Sequence, residues 1–285
     1  MRTLKDTQID ERYACAAEGV PPAFESVVCG IDAGRASQEA ARQAAVLAGP
    51  GGTVVYVCVE WSEGVGAGAK ATIRRERATE ALEAAVDAGR EAGADASSHL
   101  AVSRDVTAEL IRQARDADLL VVGSHSHSRA GGIAIGHVGS RLLHEAPLPV
   151  VVCRRPPQES PFPKDLLVAT DGSEGSAEAT RLAARIAHRH GSHVTQLHVN
   201  DSVDAPRHKM GIEAAHLMEA TGSEPVVATE TGKPHERIAA RAAQQGVSLV
   251  ALGSRGLHGL RALGSVSERV AHEAPCSVLV ARPRE

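Results

Sequence analysis

Two stretches decide how this chain is read: GSHSHSRAGGIAIGHVGSRLLHEAPLPVVVCR at residues 123–154 and GSRGLHGLRALGSVSERVAHEAPCSVLVAR at residues 253–282. Both run from Gly-Ser through a glycine-containing loop into an amphipathic stretch ending in His-Glu-Ala-Pro, then into a short β-branched run closed by arginine. The chain is an internal duplication. Working outward, Asp32 is matched by Asp171, 139 residues on, while His144 is matched by His272, 128 residues on, so the copies differ in loop length rather than in element order.

Each copy reads as strand, helix, strand, helix, strand, helix, strand, loop, helix, strand. In the first the strands are expected near 26–31, 53–59, 97–102, 118–122 and 149–153; in the second near 166–170, 193–199, 225–230, 248–252 and 277–281. Short β-branched runs without alternation suit strands covered on both faces, and their alternation with helices argues for a mostly parallel sheet flanked by helices. The helices carry apolar positions at three and four spacing, as in Leu182, Ala183, Ile186 and Ala187.

Their alanine content permits close packing on the sheet. Residues 1–23 match nothing in the second copy and are expected to form a tail or a loosely docked arm; 24–155 form the first domain and 164–285 the second. Between them, 156–163 belong to a proline-rich stretch, with Pro156, Pro157, Pro161 and Pro163, that continues neither helix nor central strand.

Composition removes several function classes. The 31 Lys+Arg against 35 Asp+Glu leave no basic excess to neutralise a nucleic-acid backbone, and the five aromatic residues offer no platform for stacking bases. Neither a signal peptide nor an apolar run of about 18 residues is present, so a cytoplasmic protein without a membrane span is expected. The five cysteines have no Cys-x-x-Cys spacing and sit mostly in apolar runs, which reads as buried reduced thiols.

In open parallel sheets ligands bind beyond the carboxyl ends of the strands, at the point where strand order reverses. The first strand of each copy ends in an acid, Asp32 or Asp171. Such a carboxylate can accept from an adenine amino group or a ribose hydroxyl, or simply from the free amides of the next helix. The fourth strand of the second copy ends in Gly253-Ser254-Arg255-Gly256, followed by seven residues and Gly264-Ser265-Val266-Ser267-Glu268. Glycines allow close backbone approach to an anion, and the helix beginning at Ser265 offers unpaired amides and the positive end of its dipole to a phosphate. Ser265 and Glu268 also have capping-box spacing, so the serine has a ligand-free reading as a helix cap. His125, His127 and His137 lie in or beside the first loop, but His-x-His lacks a third ligand at defined spacing and no metal site is expected.

These residues resemble the universal stress protein family, across 24–155 and 163–283. Its ATP-binding branch has Gly, two residues, Gly, nine residues, Gly and Ser or Thr after the fourth strand. The resemblance implies two tandem Rossmann-like, doubly wound α/β domains, each a five-stranded parallel sheet of order 3-2-1-4-5 with helices on both faces. By matched position it implies that Ala169, Asp171 and Val199 meet the base, and that Gly253, Gly256, Gly264, Ser265 and Val266 surround ribose and phosphates. The first copy offers Gly30, Asp32, Val59, Gly123, Gly136 and Val138 at equivalent places. The second copy keeps the residue types but shortens the loop from nine residues to seven. The first keeps the spacing but has Ser126 for the second glycine and His137 for the Ser or Thr.

The expected ligand is ATP, with or without Mg²⁺, held at two unequal sites of which the second keeps more of the chemistry. No nucleophile and base stand at motif spacing, so binding is expected rather than turnover, with slow ATP hydrolysis at most. A phosphoacceptor receiver domain would need paired acids and a Lys after the last strand, where this chain has Arg154 and Arg282. The implied role is a stress-response regulator acting on an unidentified protein partner; the alternative is a nucleotide-free scaffold working through protein contacts. The resemblance further implies that 150–153 and 278–281 pair antiparallel, making the chain its own pseudo-dimer, and leaves a homodimer open.

Overall fold

The computed structural model describes residues 19–61, 69–124, 135–156, 161–200, 208–254 and 263–283. In the first half, strands β1 (Ser26–Ile31), β2 (Thr53–Trp61), β3 (Asp95–Ser103), β4 (Leu119–Gly123) and β5 (Val150–Cys153) are joined by helices α1 (Arg35–Ala48), α2 (Ala69–Glu91), α3 (Val106–Gln113) and α4 (His137–Glu145). In the second, β6 (Asp165–Thr170), β7 (His193–Asn200), β8 (Val226–Thr231), β9 (Leu249–Gly253) and β10 (Ser277–Ala281) are joined by α5 (Glu174–His190), α6 (His208–Thr221), α7 (Pro234–Gln244) and α8 (Ser265–Glu273). All ten strands expected from the sequence are present, β1 and β10 with the expected ends and the others displaced at one or both ends by at most two residues.

They form one sheet of order β3-β2-β1-β4-β5-β10-β9-β6-β7-β8, so each half has the order 3-2-1-4-5. Pairing is parallel within each half. At the centre β5 meets β10 antiparallel, with Val152 opposite Val278 and Val150 opposite Val280. This junction covers two β-branched edges that would otherwise template aggregation.

Strand residues alternate between two hydrophobic cores that run through both halves. On one face Val27, Cys29, Leu119, Val151, Leu249 and Leu279 pack under α1, α2 and α5. On the other Val28, Leu120, Val150, Val250 and Val278 pack under α3, α4, α7 and α8. A strand buried on both sides has no polar face to show, which is why these runs lack alternation. The few aromatics go where volume is needed: Phe24, Tyr56 and Phe162 are fully buried, and Tyr56 places its hydroxyl on the Ala41 carbonyl at 3.1 Å. Phe162 thus anchors the end of the proline-rich stretch in the first of these cores.

Cys29, Cys58, Cys153 and Cys276 are free and buried. Burial pushes the Cys58 thiol up to about 11 and the Cys276 thiol up to about 12, and drives Cys29 and Cys153 higher still. Thiolates of these four are therefore scarce at about pH 8, where an unperturbed cysteine is partly ionised. A thiol-specific disulfide reagent is expected to modify at most Cys15 rapidly in the native protein and all five thiols in denaturant. Fast native reaction of two or more thiols would contradict this packing.

Candidate functional site

The carboxyl ends of β6 and β9 lie side by side, with Ala169 opposite Leu252 in the sheet. From β6 the chain goes to β7 on one side while β9 lies on the other, so the reversal of strand order falls between them. β1 and β4 repeat the arrangement, with Gly30 opposite Val122. Ala169, Asp171, Val199, Gly253, Gly264, Ser265 and Val266 therefore gather at one end of the second half, and Gly30, Asp32, Val59, Gly123, Gly136 and Val138 at the same end of the first. Gly256, Ser126, His125 and His127 lie outside the described residues. Among the described residues no three His, Cys, Asp or Glu side chains cluster in a way that would hold a metal ion.

Both aspartates are exposed and both brace the turn they precede. Asp171 Oδ1 accepts from the Ser173 amide at 3.0 Å; Asp32 Oδ1 accepts from the Gly34 amide and from Ser37 Oγ, each at 2.7 Å. The helix-start role weighed from the sequence is thus present in both copies, through a single carboxylate oxygen. Ser173 then caps α5, its hydroxyl accepting from the Ser176 amide.

The strand-end glycines have a packing reason. A Cβ on Gly253 would stand 2.4 Å from the carbonyl carbon of Gly175, and one on Gly123 would stand 2.5 Å from the Ala36 oxygen. The first turn of α5, like that of α1, lies directly on the end of the strand beside it. This requirement exists with no ligand present.

At the start of α8 the structure departs from the capping-box reading. Gly264 is the N-cap, its carbonyl accepting from the Glu268 amide at 3.0 Å, and Ser265 is the first helical residue. Glu268 therefore falls one position too late to reach back to the cap. Instead it meets His144 of α4, with Oε1 3.3 Å from Nε2, across the junction of the halves. The Gly264 amide donates to the Ser254 carbonyl at 2.7 Å, pinching the loop at its base, while Ser267 Oγ donates to the Gly253 carbonyl at 2.6 Å. The first amides of α8 lack intrahelical partners, as at any helix start. Beside them Ser254 Oγ is buried and has no hydrogen-bond partner among the described residues. In the first copy Gly136 caps α4 in the same extended conformation, with His137 exposed at the first helical position.

Behind the Asp171 turn lies a polar cluster that the sequence reading missed. Glu213, buried on α6, accepts from Thr170 Oγ1, from Ser176 Oγ at 3.3 Å and from Gln196 Nε2 at 2.9 Å. Thr170 Oγ1 in turn accepts from the Gly172 amide at 3.2 Å. The carboxylate thus ties α6 to the end of β6. At the matching places the first copy has Ile31 and Tyr56, so the two ends are built differently.

Comparison with known proteins agrees with this geometry. A family model described as the universal stress protein family matches residues 23–154 and again 163–282. The universal stress protein Rv2623 of Mycobacterium tuberculosis is 32% identical over 190 residues, which is 61% of this chain and 64% of that relative, so the alignment spans less than two thirds of the relative's length. The universal stress protein YxiE of Bacillus subtilis is 33% identical over 144 residues, covering 41% of this chain and 97% of its own. Among solved structures, a universal stress protein from Archaeoglobus fulgidus superposes with a TM-score of 0.74 at 23% identity, covering 92% of this chain and 99% of its own, a likeness of fold. Matched by the family model in both halves, the chain belongs to the universal stress protein family as a tandem member.

Proposed function

We propose that this protein is an adenine-nucleotide-binding regulator of the stress response, holding ATP with or without Mg²⁺ rather than turning it over, at two unequal sites with the second the stronger. The observation that carries this reading is Ser254 Oγ, buried and without a partner among the described residues, next to the open amides of α8. A buried hydroxyl without a partner costs about 1–3 kcal/mol, and a phosphate oxygen at a helix start would relieve it. In this reading Asp171 uses one oxygen for its turn and offers the other to ribose or base, beside Ala169 and Val199, while Gly253, Gly256, Gly264, Ser265 and Val266 surround the phosphates. In the first site Gly30, Asp32, Val59, Gly123, Gly136 and Val138 take these places, and His137 replaces the small hydroxyl residue at the helix start.

A second reading, a nucleotide-free scaffold acting through protein contacts, draws support from Gly253 and Gly123, whose identity is already explained by packing. The boundaries 24–155 and 164–285, cytoplasmic location, a protein partner and a homodimer belong to the same proposal. Among the described residues no helix is long and apolar enough to cross a membrane.

Denaturing the purified protein and analysing the released small molecules, with ATP titration calorimetry in the presence and absence of Mg²⁺, tests the nucleotide directly. No released adenine nucleotide together with no binding heat leaves the scaffold reading standing. Gly264→Val discriminates the sites: at φ −68 and ψ 147 the backbone conformation is one that valine adopts, while close approach to the phosphates is lost; an unchanged circular dichroism spectrum is the control for folding. Affinity at the second site is expected to fall at least about tenfold, roughly 1.4 kcal/mol; unchanged affinity places the nucleotide elsewhere.

A further inference from the structure

Trp61 is the one tryptophan of the chain, and it is placed unlike the other described aromatics. Phe24, Tyr56 and Phe162 are fully buried, whereas Trp61 is 56% exposed. In a chain so short of large side chains, the largest is kept out of the core. It is the last residue of β2, and β1 pairs with that strand only as far as Ile31 opposite Cys58. Val59, Glu60 and Trp61 therefore run on past the end of β1 for about 10 Å, at roughly 3.3 Å per residue. They form a wall beside the turn that carries Asp32.

Side chains alternate along a strand, so Val57, Val59 and Trp61 share one face. Val57 and Val59 belong to the core under α3 and α4, which also takes in Val138 at the start of α4. Trp61 thus stands on the face of the sheet where Gly136 and His137 begin that helix. Its indole Nε1 donates to the Arg104 carbonyl at 3.2 Å, just ahead of α3. With its one polar atom satisfied, the rest of the ring is apolar surface. Val59 and Trp61 are about 7 Å apart along the strand, so a flat ring resting on Val59 comes within van der Waals reach of the indole. The second half is written differently: Asp201, outside the described residues, has the matching place in the sequence, and Ser265 rather than an imidazole opens the helix.

We propose that Trp61 is the base-stacking residue of the first site, and that this site selects an adenine ring whatever phosphates follow it, so that adenosine and AMP occupy it as ATP does. The inference rests on the nucleotide reading above and divides the work between the halves, the first reading the base and the second the phosphates. One ring is no platform for a nucleic-acid strand, but a single purine needs only one partner face.

Because the chain has no second tryptophan, emission from the unaltered protein reports this residue alone. The full-length protein is titrated with adenosine, AMP and ATP, following tryptophan fluorescence and binding heat on the same samples. All three ligands are expected to quench Trp61. Trp61→Ala is expected to weaken adenosine and AMP at least about tenfold by calorimetry, while Trp61→Phe, which keeps an aromatic face, stays within about threefold of the parent. A merely structural role would produce no quenching, and the unaltered protein with Trp61→Phe carries the test even where Trp61→Ala is unstable. ATP binding heat without quenching, quenching by ATP alone, or affinities that Trp61→Ala leaves unchanged would overturn the stacking role and leave the nucleotide reading in place. No binding heat with any of the three removes both.

Discussion

Gly253→Val is expected to cost the protein about 3 kcal/mol or more and to unfold the second domain at modest urea concentration. A Cβ there would stand 2.4 Å from the carbonyl carbon of Gly175, 2.7 Å from its oxygen and 2.8 Å from the Ser176 nitrogen. All three are backbone atoms in the first turn of α5, and that helix is held from behind by Leu182, Ala183 and Ile186 in the core, so it cannot move aside alone. Overpacking a well-filled interior by a few atoms costs about 1–3 kcal/mol, and a backbone obstacle belongs at or beyond the top of that range. Gly253→Ala already places the offending atom and is expected to lose most of the same stability. Gly264→Val, by contrast, is expected to lose less than about 1 kcal/mol, since its backbone conformation suits valine. Urea unfolding followed by circular dichroism compares the three. If Gly253→Ala stays within about 1 kcal/mol of the parent, the close approach of α5 to β9 is not what fixes this glycine.

That contrast separates two residues which the sequence presents as one motif. Gly253 and Gly264 both belong to the glycine pattern of the second copy, yet the first is demanded by helix-on-strand packing, while the second holds a backbone conformation, φ −68 and ψ 147, that any residue adopts. Strands were legible because β-branched runs recur in the same order in both halves, and burial on both faces makes each one a continuous apolar run. The antiparallel junction of β5 with β10 was legible only through the family resemblance, since nothing in either run says which edge it meets. The helix start at Ser265 was legible, but the capping-box alternative was not decidable, because spacing alone cannot tell whether Ser265 precedes its helix or opens it; the Glu268 amide on the Gly264 carbonyl shows that it opens it. Glu213 was invisible for a different reason. A lone acid in α6 reads as solvated, and its partners Thr170 and Gln196 are brought to it only by the packing of α6 behind β6.

Arg154→Ala is expected to cost about 3 kcal/mol and, combined with Arg282→Ala, to separate the unfolding of the two halves. Each arginine follows the last strand of its own half and reaches into the other. The Arg154 guanidinium donates to the carbonyls of Ala271, near the end of α8, and of Cys276 at 3.2 Å; Arg282 donates to the Leu143 carbonyl near the end of α4. Both are buried, at 5% and 7% exposure. Placing cations at the carbonyl ends of α4 and α8 is favoured by the helix dipoles. Burial works against the charge and draws the Arg154 pKa down to about 10, so the carbonyls must offset a desolvation cost. Truncation then leaves a cavity and two buried carbonyls short of a donor, each worth about 1–3 kcal/mol. A second set of bonds crosses the same junction: Ser277 Oγ donates to Gln43 Oε1 at 2.7 Å and accepts from the Arg154 amide at 2.9 Å, and within the first half Gln43 Nε2 donates to the Arg154 carbonyl at 2.6 Å. None of these contacts uses the Arg154 side chain, so they survive the truncation and a single variant should still unfold in one transition. Arg154→Met keeps the apolar stem and is expected to recover the part of the loss that comes from the cavity, which measures the hydrogen-bond share by difference. With both arginines gone, calorimetry is expected to show a van't Hoff enthalpy below the calorimetric one, the mark of halves that no longer melt together. A double variant that loses less than about 1 kcal/mol and keeps a single transition would show that the β5–β10 pairing alone joins the two domains.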